Sequence, residues 1–342
     1  MKIISSIINK IPVVFLLLIL ACDHKQENSS EEAGSEIKVG LVFDIGGRGD
    51  KSFNDSAYEG LIKAREELGV YTEYIELSTG LDRESALRLF AARKFDLIFG
   101  IGFMFTDDIT RLSMEFPDIK FACIDYNVIK DVNIPENLAA IKFREEEGAF
   151  LIGAIAALVT KTNIVGFIGG MDIPLIHKFE EGFKSGAGYI NKNCNVLTAY
   201  AGVTAEAFKN PSKGKELAIS QYKNGADIVF HASGSTGLGV FEAARKLDKR
   251  AIGVDADQYH EAPGYILTSM IKRVDVAVLH TVEDLIAGTF TGGLKNHGLK
   301  EGALGYVYDD NNYNMISASV VSEVEKIKKL IIEGKINISL KK

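Results

Sequence analysis

Between residues 37 and 287, short β-branched runs alternate with amphipathic stretches of helical length, and this alternation leaves few folds open. Strand-like runs cover 37–43, 72–77, 95–101, 120–124, 138–143, 164–168, 196–200, 226–231, 251–254 and 265–270. Helical patterns fall between them at 56–68, 83–92, 106–116, 145–160, 173–190, 212–224, 236–247 and 274–287. Strands joined by helices of this length form right-handed βαβ units, and therefore parallel sheets. Runs as continuously apolar as 37–43 belong to sheets covered on both faces. Roughly 300 residues follow position 36, more than one core usually serves, so two lobes are expected. The first should end near Phe143 and the second should begin with the helix at 145–160. Gly148, Gly153, Ala154, Ala156 and Ala157 would let that helix approach a strand or the other lobe closely. Asp82 is placed to cap the helix at 83–92, and Asp107 stands early in the next one.

The first 36 residues have a different character. Lys2 and Lys10 precede an apolar stretch ending in Ile19-Leu-Ala-Cys22. That stretch is about half of the roughly 20 residues a span needs, which favours a secretory signal over an anchor helix. Cysteine directly after Leu-Ala resembles a bacterial lipoprotein signal, with Cys22 as the acylated residue. Each methylene inserted into a bilayer would contribute about 0.8 kcal/mol of anchoring. Residues 23–36 (DHKQENSSEEAGSE) lack large apolar side chains and read as a tether, because they cannot bury enough surface to fold.

Composition removes several functional classes. A net charge of −7 argues against nucleic acid or anionic lipid as the main partner. With Cys22 lipidated, Cys123 and Cys194 remain, and a separate thiol in each lobe is the expectation. No CxxC or HExxH spacing supports a zinc site, and no cofactor is indicated. His177, His231, His260, His280 and His297 have no spacing that pairs them with a Ser or Cys nucleophile, and the GxSxG elbow is absent.

In parallel α/β sheets ligands bind beyond the carboxyl ends of the strands. Asp44, Asp125 and Asp255 each follow a strand-like run. A carboxylate offers paired acceptors, so several at equivalent positions suit a ligand carrying hydroxyl groups. Phe53 and Asn54 stand at a helix start after a glycine-rich loop, and Phe208 occupies a similar loop of the second half. Phe53 can be a hydrophobic staple. Alternatively, one aromatic from each lobe can sandwich a planar base, each stack contributing about 1–3 kcal/mol by analogy with nucleobase binding. The run GSTGLG (234–239) lacks a phosphate-loop pattern and reads as a tight strand–helix connection whose amides, at Gly234 first, approach the ligand. Arg48-Gly49-Asp50 spells an adhesion tripeptide inside the proposed site loop.

Five motifs in order, DIGGRGDKSFN (44–54), FKNPSKGK (208–215), GLGVFEAA (237–244), IGVDADQ (252–258) and LTSMIKRVD (267–275), resemble the basic membrane protein family. Its purine nucleoside receptor branch consists of substrate-binding lipoproteins of ABC importers. The resemblance spans residue 37 to the C-terminus and implies a type I periplasmic-binding-protein fold, α/β, with two Rossmann-like lobes of parallel strands joined by a three-strand hinge. It divides the chain into 37–143 plus about 272–295 and 144–271 plus about 296–342. It implies that Phe53 and Phe208 stack the purine, that Asp255 and Lys272 make polar contacts with Asp255 at the ribose hydroxyls, and that Asp44, Asn54 and Asp125 contact base or sugar from the first lobe. Arg48-Gly49 departs from the family's usual apolar or acidic pair, which leaves base preference open. The implied protein is a non-enzymatic, monomeric binder of adenosine, guanosine or inosine. It would be lipid-anchored in a bacterial cell envelope and partnered by an ABC permease. The alternatives are a nucleoside hydrolase using the aspartates, which their origin in separate lobes disfavours, and a surface adhesin.

Overall fold

Two six-stranded sheets organise the chain, and both are wound in the same order. The computed structural model describes residues 36–43, 46–77, 82–128, 130, 132–338 and 340. The expected signal at 1–22 with Cys22, the tether apart from Glu36, and Asp44 lie outside these residues.

The first sheet contains β1 (Lys38–Phe43), β2 (Tyr71–Glu76), β3 (Leu97–Ile101), β4 (Lys120–Ile124), β5 (Leu138–Phe143) and β11 (Gly293–His297). Their order is β11-β5-β4-β3-β1-β2, parallel throughout. The second contains β6 (Ile164–Met171), β7 (Asn195–Gly202), β8 (Ile228–Ala232), β9 (Arg250–Asp255), β10 (Ile266–Lys272) and β12 (Leu304–Tyr306). Its order is β12-β10-β9-β8-β6-β7, with β12 alone antiparallel. The helices are α1 (Phe53–Leu68), α2 (Arg83–Ala92), α3 (Thr106–Glu115), α4 (Glu145–Val159), α5 (Pro174–Ile190), α6 (Pro211–Lys223), α7 (Thr236–Leu247), α8 (Val274–Ile286) and α9 (Ala318–Ile332). This is the two-lobe, type I-like arrangement that the alternation and the resemblance imply. Strand order reverses between β1 and β3 in one sheet and between β6 and β8 in the other, so each sheet has one switch point.

Period-2 alternation explains why both faces are covered. On β1 and β3, Leu41, Phe43, Phe99 and Ile101 join one buried cluster, while Val42 and Ile98 join another on the opposite face. The second sheet repeats this, with Phe167 and Phe230 on one side and Ile168 and Val229 on the other. Each fully buried side chain of this size contributes about 1.5–3 kcal/mol relative to exposure. Asp82 caps α2 as expected, accepting from Ser85 N–H at 2.7 Å. Asp107 does not cap; it sits inside the first turn of α3, where its charge favours the helix N-terminus.

Helix α4 is buried; Gly148 meets the expected strand, a Cβ there lying 2.5 Å from Met270 of β10, while Gly153 meets a helix instead. A Cβ at Gly153 would lie 2.0 Å from the Phe183 carbonyl oxygen, and one at Gly186 would lie 1.9 Å from that of Phe150, so α4 and α5 touch backbone to backbone. Among the described residues no helix is long and apolar enough to cross a membrane. Cys123 is buried in β4, and Cys194 is half-buried before β7; they are not bonded to each other.

The chain passes between the sheets at β5 to α4, at β10 to α8 and after β11. Arg144 ties two of these passages together: its N–H donates to His297 O at 2.8 Å and its Nη1 to Asn296 O at 3.1 Å. Elements β11, β12 and α9 lie beyond the alternation read from sequence. The strands are short edge pieces, whereas α9 carries an apolar stripe at Val320, Val324, Ile327 and Ile331 but follows no strand–helix rhythm.

Candidate functional site

Beyond the carboxyl ends of both sheets, at both switch points, lies a cavity with about 690 Å³ free of protein atoms, mouth included. The first lobe contributes Asp50, Phe53 and Asn54 from the loop and helix after β1, Phe103 after β3 and Asp125 after β4. The second contributes Phe179 on α5, Phe208, Ser233 and Gly234 after β8, Asp255 at the end of β9 and Lys272 at the end of β10. Of the residues singled out from sequence, Phe53, Asn54, Asp125, Phe208, Gly234, Asp255 and Lys272 line this one space.

Each aromatic is held by its own local structure. Phe53 begins α1, and the turn before it is organised by the buried Asp50. The Asp50 carboxylate accepts from the N–H groups of Ser52 at 2.9 Å, Asn54 at 2.9 Å and Asp55 at 3.1 Å, so it caps the helix from outside its first turn. Burial nevertheless pushes its pKa up to about 7. Phe208 ends a 3-10 turn (Ala205–Phe208), and its carbonyl accepts from Ser235 Oγ at 3.1 Å. Gly170 makes room for its ring, which a Cβ there would approach to 2.3 Å.

The polar floor forms around one ammonium. Lys272 Nζ donates to both carboxylate oxygens of Asp125 at 2.7 Å and lies 3.2 Å from Glu145 Oε1. Asp255 accepts from Ser52 Oγ across the lobe boundary. Asp125 and Asp255 occupy equivalent strand ends and share an unusual backbone, with φ of 61° and 67°, which aspartate tolerates better than most side chains. Burial raises Asp125 to about 6, with Lys272 opposing, and burial raises Asp255 as well. Glu145 is held below its ordinary value: burial pushes it up, but Lys272 and Lys178 outweigh that. Lys272 stays charged, because its three carboxylate neighbours overcome the burial that would lower it. The expectation that carboxylates from separate lobes stay apart is therefore corrected: the lobes meet, and closure gathers them around a shared cation. Among the described residues no group of three or more His, Cys, Asp and Glu is arranged to hold a metal.

A Ser–His contact that spacing did not predict is also present. Ser233 Oγ lies 3.3 Å from His231 Nδ1, and His231 Nε2 lies 3.2 Å from Gln258 Oε1. The third member is a neutral amide, and burial lowers His231 to about 4, so nothing here would stabilise an imidazolium as a triad carboxylate does. The Arg48-Gly49-Asp50 tripeptide is not presented as an adhesion loop. Arg48 stacks on Tyr58 at 3.8 Å and donates to Tyr74 OH at 2.9 Å, and Asp50 is only 3% exposed.

Sequence reasoning did not identify Asp50, Phe103, Phe179, Ser233 or Glu145 as site residues. Asp50 was legible as an acid three residues before the helix start at Phe53. Phe179 and Glu145 are brought in by α5 and α4 packing, which no local pattern announces. Asn54 Oδ1 is buried without a hydrogen-bond partner, a polar atom left open at the cavity wall.

The arrangement can hold a flat apolar group between aromatics and a hydroxylated group against carboxylates. Comparison with known proteins agrees with a binding role. The family model described as "ABC transporter substrate-binding protein PnrA-like" matches residues 37–342. Basic membrane protein A of Borreliella burgdorferi is 38% identical over 336 residues, covering 96% of this chain and 95% of that one. A lipoprotein of Pyrococcus furiosus is 38% identical over 291 residues, covering 81% and 71%. The crystal structure of an ABC transporter system solute-binding protein from Aeropyrum pernix superimposes with a TM-score of 0.81 at 30% identity, covering 90% of this chain and 94% of that one.

Proposed function

The chain belongs to the PnrA-like family of ABC transporter substrate-binding proteins, and on that premise we propose that it captures purine nucleosides between its lobes and delivers them to an ABC importer. The observation that carries this reading is that Phe53 and Phe208, one from each lobe, line one cavity together with Asp125, Asp255 and Lys272. The two rings would take the faces of the purine. Asp255 would accept from ribose hydroxyls, Asp125 and Lys272 would complete the sugar contacts, and Asn54 Oδ1 would accept from a ligand N–H or O–H. Gly234 would bring backbone close to the base. Asp44 belongs to this set by motif. Adenosine, guanosine and inosine are the ligands proposed, with a monomer as the binding unit.

Cys22 would carry the lipid that holds the protein at the outer side of a bacterial membrane, and the tether would leave the lobes free to meet a permease. Mass spectrometry of small molecules released on denaturing the purified protein tests the ligand class: a purine nucleoside is expected, and a sugar or amino acid in its place would sink the reading. Incubation with inosine followed by a search for free hypoxanthine decides between binding and hydrolysis, with intact nucleoside expected.

A further inference from the structure

Gln258 is buried behind the cavity wall and does not line it, yet its side chain reaches from one lobe to the other. Its backbone N–H donates to Ser269 Oγ at 3.1 Å, which seats it against β10. Its Oε1 accepts from Val254 N–H at 2.8 Å and from His231 Nε2 at 3.2 Å, both within the second lobe. Its Nε2 donates to the carbonyl oxygen of Lys51 at 2.8 Å, in the first-lobe loop that leads into Phe53. The amide cannot be turned over: a flipped group would set N–H against the Val254 N–H and oxygen against the Lys51 carbonyl. His231 is thereby fixed with its proton on Nε2, and its Nδ1 accepts from Ser233, which does line the cavity.

We propose that Gln258 is a positioning residue for ligand capture, an interlobe latch that docks the Lys51–Ser52 corner onto the second lobe and so holds Phe53 in place over the ligand. Two other ties across the cleft, Lys272 to Asp125 and Ser52 to Asp255, each include a group that lines the cavity, whereas Gln258 joins the lobes without lining the ligand space. Lys51 holds a positive φ of 56°, uncommon for a side chain other than glycine, and the Gln258 amide hydrogen-bonds that same residue. The Ser233–His231–Gln258 chain then connects a residue at the cavity to the latch through three side chains of defined donor and acceptor direction.

The proposal rests on the capture reading above, and its test keeps the two apart. Gln258→Glu preserves an oxygen facing Val254 N–H and His231 but replaces the interlobe donor with an acceptor aimed at the Lys51 carbonyl. Loss of one such hydrogen bond should weaken inosine binding by about 2- to 12-fold. The change should come mainly through faster dissociation, because the latch acts after the ligand is in place. Stopped-flow measurement of inosine dissociation from the purified parent and variant proteins is the readout, with a melting curve establishing that each is folded. Gln258→Met, which keeps the volume and removes the donor, replaces the Glu variant if that one fails to fold. Dissociation rates equal to the parent's in a folded variant overturn the proposal. If inosine binds neither protein, the nucleoside reading fails, and small-angle scattering of the two proteins alone decides the latch. A larger radius of gyration in the variant supports it, and superimposable profiles overturn it.

Discussion

Lys272 Nζ lies 2.7 Å from both carboxylate oxygens of Asp125, although Lys272 ends a strand of the second sheet and Asp125 follows a strand of the first. This contact makes the polar floor of the cavity a product of both lobes. It also leaves Asp125 dependent on one buried cation, which shares Glu145 with Lys178. Breaking a buried ion pair from one side is costly, about 3–5 kcal/mol, because the remaining charge is left without compensation. Lys272→Met should lower thermal stability by that order at pH 7, and a melting temperature equal to the parent's would contradict the account.

Aromatic truncation tests the sandwich. Phe53→Ala and Phe208→Ala should each weaken nucleoside binding by about 1–3 kcal/mol, or roughly 5- to 150-fold. Calorimetry on folded variants reads the change, and unchanged affinity in both would remove the stacking role.

Two carboxyls give the protein a pH signature. Burial raises Asp50 to about 7 and Asp125 to about 6, against about 3.9 in an unfolded chain. Between those values the folded protein holds protons that the unfolded chain has released, so the contribution is fully present below about pH 4 and is lost as pH rises through 6 to 7. Asp275, held down to about 2 by Arg273 and Lys63 against the pull of burial, acts in the opposite sense below that window. His231, lowered by burial from 6.5 to about 4, opposes the decline between those values, so the fall is the net of two carboxyls against one imidazole. Urea unfolding across pH 4 to 8 should therefore show stability declining toward neutrality. Asp50→Asn should flatten the decline; an identical slope in parent and variant would contradict the assignment.

Charge also sets selectivity. Asp50, Asp125 and Asp255 line the cavity, and Lys272, the one cation among the described residues that line it, is already engaged. A phosphate would meet like charges in a desolvated space where screening is weak. Inosine monophosphate should compete with inosine at least 10-fold less well than inosine itself does, a loss of about 1.4 kcal/mol or more. Equal competition would show that the cavity does not discriminate by charge.

The sheets were legible in the sequence because strand and helix alternate at regular length, and the strand-end aspartates followed from where parallel sheets bind ligands. Phe53 and Phe208 stood out as aromatics in otherwise polar loops. Glu145 and Phe179 were not legible: helix packing that no local spacing encodes brings Phe179 to the cavity and Glu145 to Lys272 behind it. The closing of the carboxylates around Lys272 was hidden for a related reason: the expected boundary at about 272 grouped Lys272 with Asp125, whereas Lys272 ends β10 of the second sheet, and sequence is silent on how the lobes meet. The Ser233–His231 contact falls between the two cases, adjacent in sequence but given meaning only by Gln258 arriving from the next strand's loop.

Isothermal titration calorimetry with inosine, guanosine and adenosine, run beside ribose and the free bases, tests the central claim most directly. On the nucleoside reading, the aromatics take the base and the carboxylates the sugar, so a nucleoside should bind far more tightly than either of its pieces. Saturable binding of at least one purine nucleoside, with ribose and free base much weaker, is the result predicted. Binding of ribose, another sugar or an amino acid in preference to every purine nucleoside would contradict it.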